Sequence, residues 1–154
     1  MSLYIVALIV SCIAGLRAFI APVAICWLAY ENVINVSGSW AGFTSNVWTV
    51  GIFSILVVIE LVTDQLPKTP SRKVPQQFAP RIISGAFCAA VLAAQSGGVV
   101  ALVVLAIIGV VIGAFVGFEF RVRLKQVFDG LDRPAAIIED LLAFVLVALV
   151  AVAL

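Results

Sequence analysis

Glu60, Asp64, Glu139 and Asp140 are carboxylates carried by otherwise apolar segments, and Arg17 is a guanidinium set in the middle of another. Carboxylates withdrawn from water together hold and exchange protons or bind a cation, and a guanidinium beside them pairs with them or holds an anionic group. Glu60 and Asp64 are spaced i,i+4 and so share a helix face. At a rise of 1.5 Å per residue, Glu60 lies about 9 Å and Glu139 about 8 Å in from the cation-rich ends of their segments, which brings four carboxylates to one level. Arg81, and Glu119, Arg121 and Arg123 at the end of another segment, approach the same level. The candidate ion or solute pathway is therefore Arg17, Glu60, Asp64, Arg81, Arg121, Glu139 and Asp140. The same residues would also serve as a salt-bridge belt that fixes helices at the membrane interface.

Arg17 is expected near mid-membrane, where an unpaired guanidinium costs at least about 2.5 kcal/mol. Gly15 before it and Pro22 after it weaken the helix, so freed backbone groups and the guanidinium could line a polar cavity. Glu60 and Glu139 are its expected partners. After Asp64, a stretch with Pro67 and Pro70 carries Lys68, Thr69, Ser71 and Arg72; Thr69, Ser71 and Arg72 could hold an anion or form a lid, or the stretch is an ordered cytoplasmic loop. The chain has no His, no G-x-S-x-G and no phosphate-binding glycine loop, so an enzyme is not expected, nor a metal or cofactor. Cys12, Cys26 and Cys88 lie in apolar runs without C-x-x-C spacing and read as buried small hydrophobes.

The elements that carry these residues must live in lipid. A chain that is 64% hydrophobic and 11% charged is too apolar for a soluble domain. Apart from Arg17, every Lys and Arg falls in one of two clusters, 68–81 and 121–133, whereas 31–47 has none. By the positive-inside rule both clusters face the cytoplasm. The expected fold is all-α, a single integral membrane domain over 1–154 with about five transmembrane helices near 3–30, 47–65, 79–95, 99–121 and 134–154. The third is expected as a short or re-entrant helix. The N-terminus is expected in the cytoplasm and the C-terminus outside. Residues 4–13 could pass for a signal-peptide core, but no positive residue precedes them, which favours a retained first helix. Two helix pairs around a connector would make an inverted repeat. Gly109, Gly113 and Gly117 form a ridge at spacing four that lets a helix of this protomer or another approach closely. A net charge of +1 without a basic tail argues against nucleic acid. The expected partners are the bilayer and a second copy of the chain.

The strings GLRAFIAP (15–22), E-x-x-x-D-x-L-P-K-T-P-S-R (60–72), P-R-I-I-S-G-A (80–86), G-A-F-V-G-F-x-x-R (113–121) and A-I-I-E-D-x-x-A (136–143) resemble a family of small bacterial multi-pass membrane proteins of unknown function. The resemblance implies a bacterial cytoplasmic membrane and brings no activity with it. The charged intramembrane residues point to a small secondary transporter or channel, proton- or cation-coupled, in which Glu60 and Glu139 exchange the ion. The competing expectation is a membrane scaffold or assembly factor whose glycine ridge packs partner helices. A lipid-headgroup enzyme ranks behind both for want of a nucleophile or metal set.

Overall fold

The computed structural model describes residues 2–64, 75–95 and 98–154, and these form an all-helical bundle. Its helices are α1 (Leu3–Leu16), α2 (Ile20–Tyr30), a 3-10 helix (Trp40–Ser45), α3 (Val47–Asp64), α4 (Pro75–Ala93), α5 (Val99–Val127) and α6 (Asp132–Ala153). Among the described residues α3, α5 and α6 are long and apolar enough to cross a bilayer, and shorter apolar helices accompany them. This is a helical membrane protein.

The continuous first helix expected over 3–30 is instead two helices. At Arg17 the backbone is extended, with φ −139° and ψ 122°, and α2 restarts at Ile20. Pro22 explains part of the restart. It lies in the first turn of α2, where its missing N–H would have had no helical partner. In an unbroken helix residue 22 would bond the carbonyl of Ala18; here that carbonyl accepts the hydroxyl of Ser84.

The two halves fold back on each other. A Cβ placed on Gly98, at the start of α5, would lie 3.6 Å from the Tyr4 hydroxyl; one on Gly109 would lie 2.8 Å from Ser11 Cβ, and one on Gly113 would lie 2.9 Å from Cys12 Cα. Helix α1 thus runs parallel to α5 and ends near its charged end. Helix α2 then runs the other way, antiparallel to α3: Ala18 and Phe19 meet Glu60, and Trp27 Nε1 donates to Ser54 Oγ at 3.4 Å. Residues 3–30 form a helical hairpin with its tip at Arg17–Phe19, and both its ends lie at the end of the bundle opposite the cations. The expected inverted repeat paired α3 with one continuous first helix, and two antiparallel helices stand in that place.

The remaining spans also differ at their edges. Helix α5 runs to Val127 rather than 121, and α4 starts at Pro75 with Pro80 inside it. Asp129 (φ 52°) and Gly130 (φ 86°) supply the left-handed turn that reverses the chain into α6. The glycine ridge is filled within the protomer, because α1 lies along Gly109 and Gly113. Gly117 is buried on the same helix. Helix α3 is the outlying element. It turns Trp48, Ile52, Ile55, Val58, Ile59 and Val62 outward from the bundle.

The hairpin makes a topological prediction. Cysteines placed at exposed Ser2 and Ser37 are expected to react with a membrane-impermeant maleimide from the same side of sealed vesicles, and a cysteine at Arg133 from the other. Labelling of Ser2→Cys and Ser37→Cys from opposite sides would restore a continuous crossing.

Candidate functional site

A helix that stops inside a bilayer leaves carbonyls at one break and N–H groups at the other without partners, and lipid offers none. At the hairpin tip each set is met by a charged side chain. Arg81 on α4 donates from Nη1 to the carbonyl of Gly15 at 2.8 Å and to that of Leu16, the last two residues of α1. Glu60 on α3 accepts from the N–H of Ala18 at 2.7 Å and of Phe19 at 2.9 Å, one on each carboxylate oxygen. This places a negative charge at the positive end of α2 and a positive charge at the negative end of α1, the favourable sense for both helix dipoles.

Arg17 itself is fully buried. Its Nη1 donates to Asp64 Oδ2 on α3, and its Nη2 lies against Asp140 Oδ1 on α6. Among the described residues its Nε has no acceptor. Arg121 on α5 extends the chain of pairs. It donates to the same Asp64 oxygen at 2.8 Å and grips Asp132 with Nε at 2.9 Å and Nη2 at 2.8 Å, a bidentate fork; its Nη1 stands 3.7 Å from Glu139 Oε2. Lys125 closes the outer edge on Asp132 at 2.9 Å. Asp64 is thus shared by two guanidiniums and ties α3 to the hairpin tip and to α5.

All seven residues of the expected pathway meet here, although two details differ from expectation. Arg17 lies in the extended turn between α1 and α2, level with the last turn of α3, rather than within one continuous first helix. Its partners are Asp64 and Asp140 rather than Glu60 and Glu139. Glu60 is occupied by the hairpin backbone, and Glu139, one residue and so about 100° around α6 from Asp140, faces Arg121. Glu119 and Arg123 stay outside the cluster, exposed and paired with each other at 3.0 Å. Thr69, Ser71 and Arg72 lie outside the described residues. Two participants are additions to the expected set. Ser84 stands one turn after Arg81 on the same face, a spacing that would have marked it, and Asp132 opens α6 just after the Asp129-Gly130 turn, where an acid favours a helix N-terminus.

Chemically, the described cluster sets three guanidiniums, Arg17, Arg81 and Arg121, against four carboxylates, Glu60, Asp64, Glu139 and Asp140, with Asp132 held at the edge by Arg121 and Lys125. Glu60 is served by the N-terminus of α2. A proton or a small cation at Asp140 would compete with Arg17 for that carboxylate.

No curated protein and no solved structure matches this chain. Residues 4–153 match a domain of unknown function, DUF4126. That match takes in the hairpin, the charged cluster and every spanning helix, and the chain belongs to the DUF4126 family.

Proposed function

We propose that this protein is a small ion or solute transporter or channel of the bacterial cytoplasmic membrane, in which the α1–α2 hairpin is the moving part and the cluster around Arg17 is the coupling site. The observation that carries this reading is the broken segment itself. Backbone ends opened inside a bilayer are costly, and they recur where a membrane protein binds ions or substrates. Here they are held by ionised side chains from α3 and α4 rather than by apolar packing. In this reading α3, α4, α5 and α6 cross the membrane and the hairpin enters and leaves by one face. The cation-rich end lies in the cytoplasm, by the positive-inside rule, so both termini lie outside. A dimer is the assembly we favour.

Arg17 has no exposed surface, so the conformation described is a closed one. Opening requires Arg17 to part from Asp64 and Asp140. Neutralising one of those carboxylates with a proton, or screening it with a cation, lowers the cost of that step. Because Glu60 already accepts two backbone N–H bonds, the exchangeable charge falls to Asp140 with its neighbour Glu139 rather than to Glu60. Helix α3 packs chiefly on α2, so a change at the tip is passed to it directly.

The scaffold reading draws support from one observation, that the charges at the cluster are paired. Against it, the glycine ridge that would have bound a partner helix is covered by α1 of the same chain. Flux measurements separate the two. Purified protein in liposomes, under imposed proton and ion gradients, is expected to carry a proton-linked flux that Asp140→Asn abolishes while the protein stays folded. A wild-type protein inert under every gradient would favour the scaffold, and an Asp140→Asn variant with wild-type flux would overturn the coupling role given to Asp140.

A further inference from the structure

Helices α3 and α6 both pack on α2 but have almost no contact with each other. Between them, with α2 as the back wall, lies an open cleft of about 500 Å³. Its walls are apolar: Ile20, Val23 and Trp27 on one side, Val57 across from them, and Phe144 and Val147 on α6. Ile20 and Val57 mark its inner end, beside the hairpin tip, and Glu31 marks its mouth. Along α2 that distance is eleven residues, or about 16 Å, close to the roughly 15 Å of one leaflet, half of a hydrocarbon core about 30 Å thick. A cleft that opens sideways to lipid, is one leaflet deep and has a volume in the ligand-pocket range has the dimensions of one acyl chain.

The mouth selects the headgroup. Glu31 is exposed, and no side-chain partner is shown for it among the described residues; the sequence offers no Lys or Arg between residues 18 and 67. An ammonium group would complete the ion pair, whereas an anionic headgroup would be repelled. We propose that this cleft is a binding site for one amine-headed phospholipid of the leaflet at the Glu31 end, with an acyl chain between α3 and α6 and the ammonium on Glu31. The lipid fills the gap behind the hairpin arm and completes the wall that α3 and α6 leave open. This site stands whether or not the protein transports.

Native mass spectrometry of protein released from nanodiscs of equal phosphatidylethanolamine and phosphatidylglycerol tests it. One tightly retained lipid is expected, with phosphatidylethanolamine favoured about fivefold, the worth of one exposed ion pair. Glu31→Gln, a surface change, is expected to equalise the two lipids. Ala151→Trp, which fills the mouth, is expected to remove the retained lipid without lowering the unfolding temperature. Equal retention of both lipids by wild type overturns the headgroup contact. Undiminished retention in Ala151→Trp overturns the site, as does a lipid-free dimer that Ala151→Trp converts to monomer, which would make the cleft a subunit interface.

Discussion

Arg17→Ala is expected to lower stability by about 3–5 kcal/mol, the cost of removing one partner from a buried ion pair. The large value follows from what is left behind. Asp64 and Asp140 both face Arg17, so its loss takes a cation from two largely buried carboxylates at once. Asp64 keeps Arg121, whereas the only cation shown against Asp140 among the described residues is Arg17. Arg17→Lys is expected to fall between, because a single ammonium cannot span two carboxylates on different helices as a planar guanidinium does. A third variant separates lost charge balance from lost shape. Arg17→Met combined with Asp64→Asn and Asp140→Asn removes Arg17 and the two carboxylates that face it together while Arg121 keeps Asp132, and exchange of an ion-paired group for neutral side chains is often close to neutral. Unfolding of the purified protein in detergent, followed by denaturant titration, reads all three. An Arg17→Ala variant within about 1 kcal/mol of wild type would mean that the tip is solvated and that the pairs add little.

The cluster was legible in the sequence because intramembrane charge is rare and therefore conspicuous. Once Glu60, Asp64, Glu139 and Asp140 were counted in from the cation-rich ends, helical rise brought them to one level. The hairpin was harder to read because an apolar run looks the same whether it crosses or doubles back, and hydropathy carries no direction. One signal was present. An unbroken helix over 3–30 would be about 42 Å long, well beyond a hydrocarbon core of about 30 Å, and the extra length fits a turn at the Gly15–Pro22 stretch. Choosing between Glu139 and Asp140 as the partner of Arg17 was beyond the sequence. Adjacent helix positions point about 100° apart, and which one meets Arg17 depends on where the hairpin tip sits against α6. Glu60 shows the same limit: its spacing from Asp64 announced a shared face, but its role as a cap for α2 appears only when Ala18 and Phe19 present their N–H groups to it.

Gly113→Val is expected to be the most damaging change outside the charged cluster. The first atom beyond hydrogen at this position would already overlap the main chain of Cys12, with Cys12 Cα only 2.9 Å away. Backbone cannot rotate aside as a side chain can, so α1 itself must move off α5. Gly15 faces the same contact from the other helix, its Cβ position 2.7 Å from the Ala114 nitrogen, and the two glycines together let α1 and α5 touch main chain to main chain. Overpacking a well-filled interior costs about 1–3 kcal/mol where side chains can adjust. With backbone on the far side, Gly113→Ala is expected near the top of that range and Gly113→Val beyond it. Gly51 supplies the control. It lies within α3 with open space where a Cβ would be added, so Gly51→Ala is expected to stabilise by up to about 1 kcal/mol through helix propensity. Displacing α1 also carries Gly15 and Leu16 away from Arg81 and loosens the tip that holds Arg17. Gly113→Val should therefore lower stability and expose the charged cluster to water-soluble reagents in the same variant. If instead it left the protomer as stable as wild type and only changed its oligomeric state, the ridge would be packing a second copy of the chain, and α1 would have to lie elsewhere.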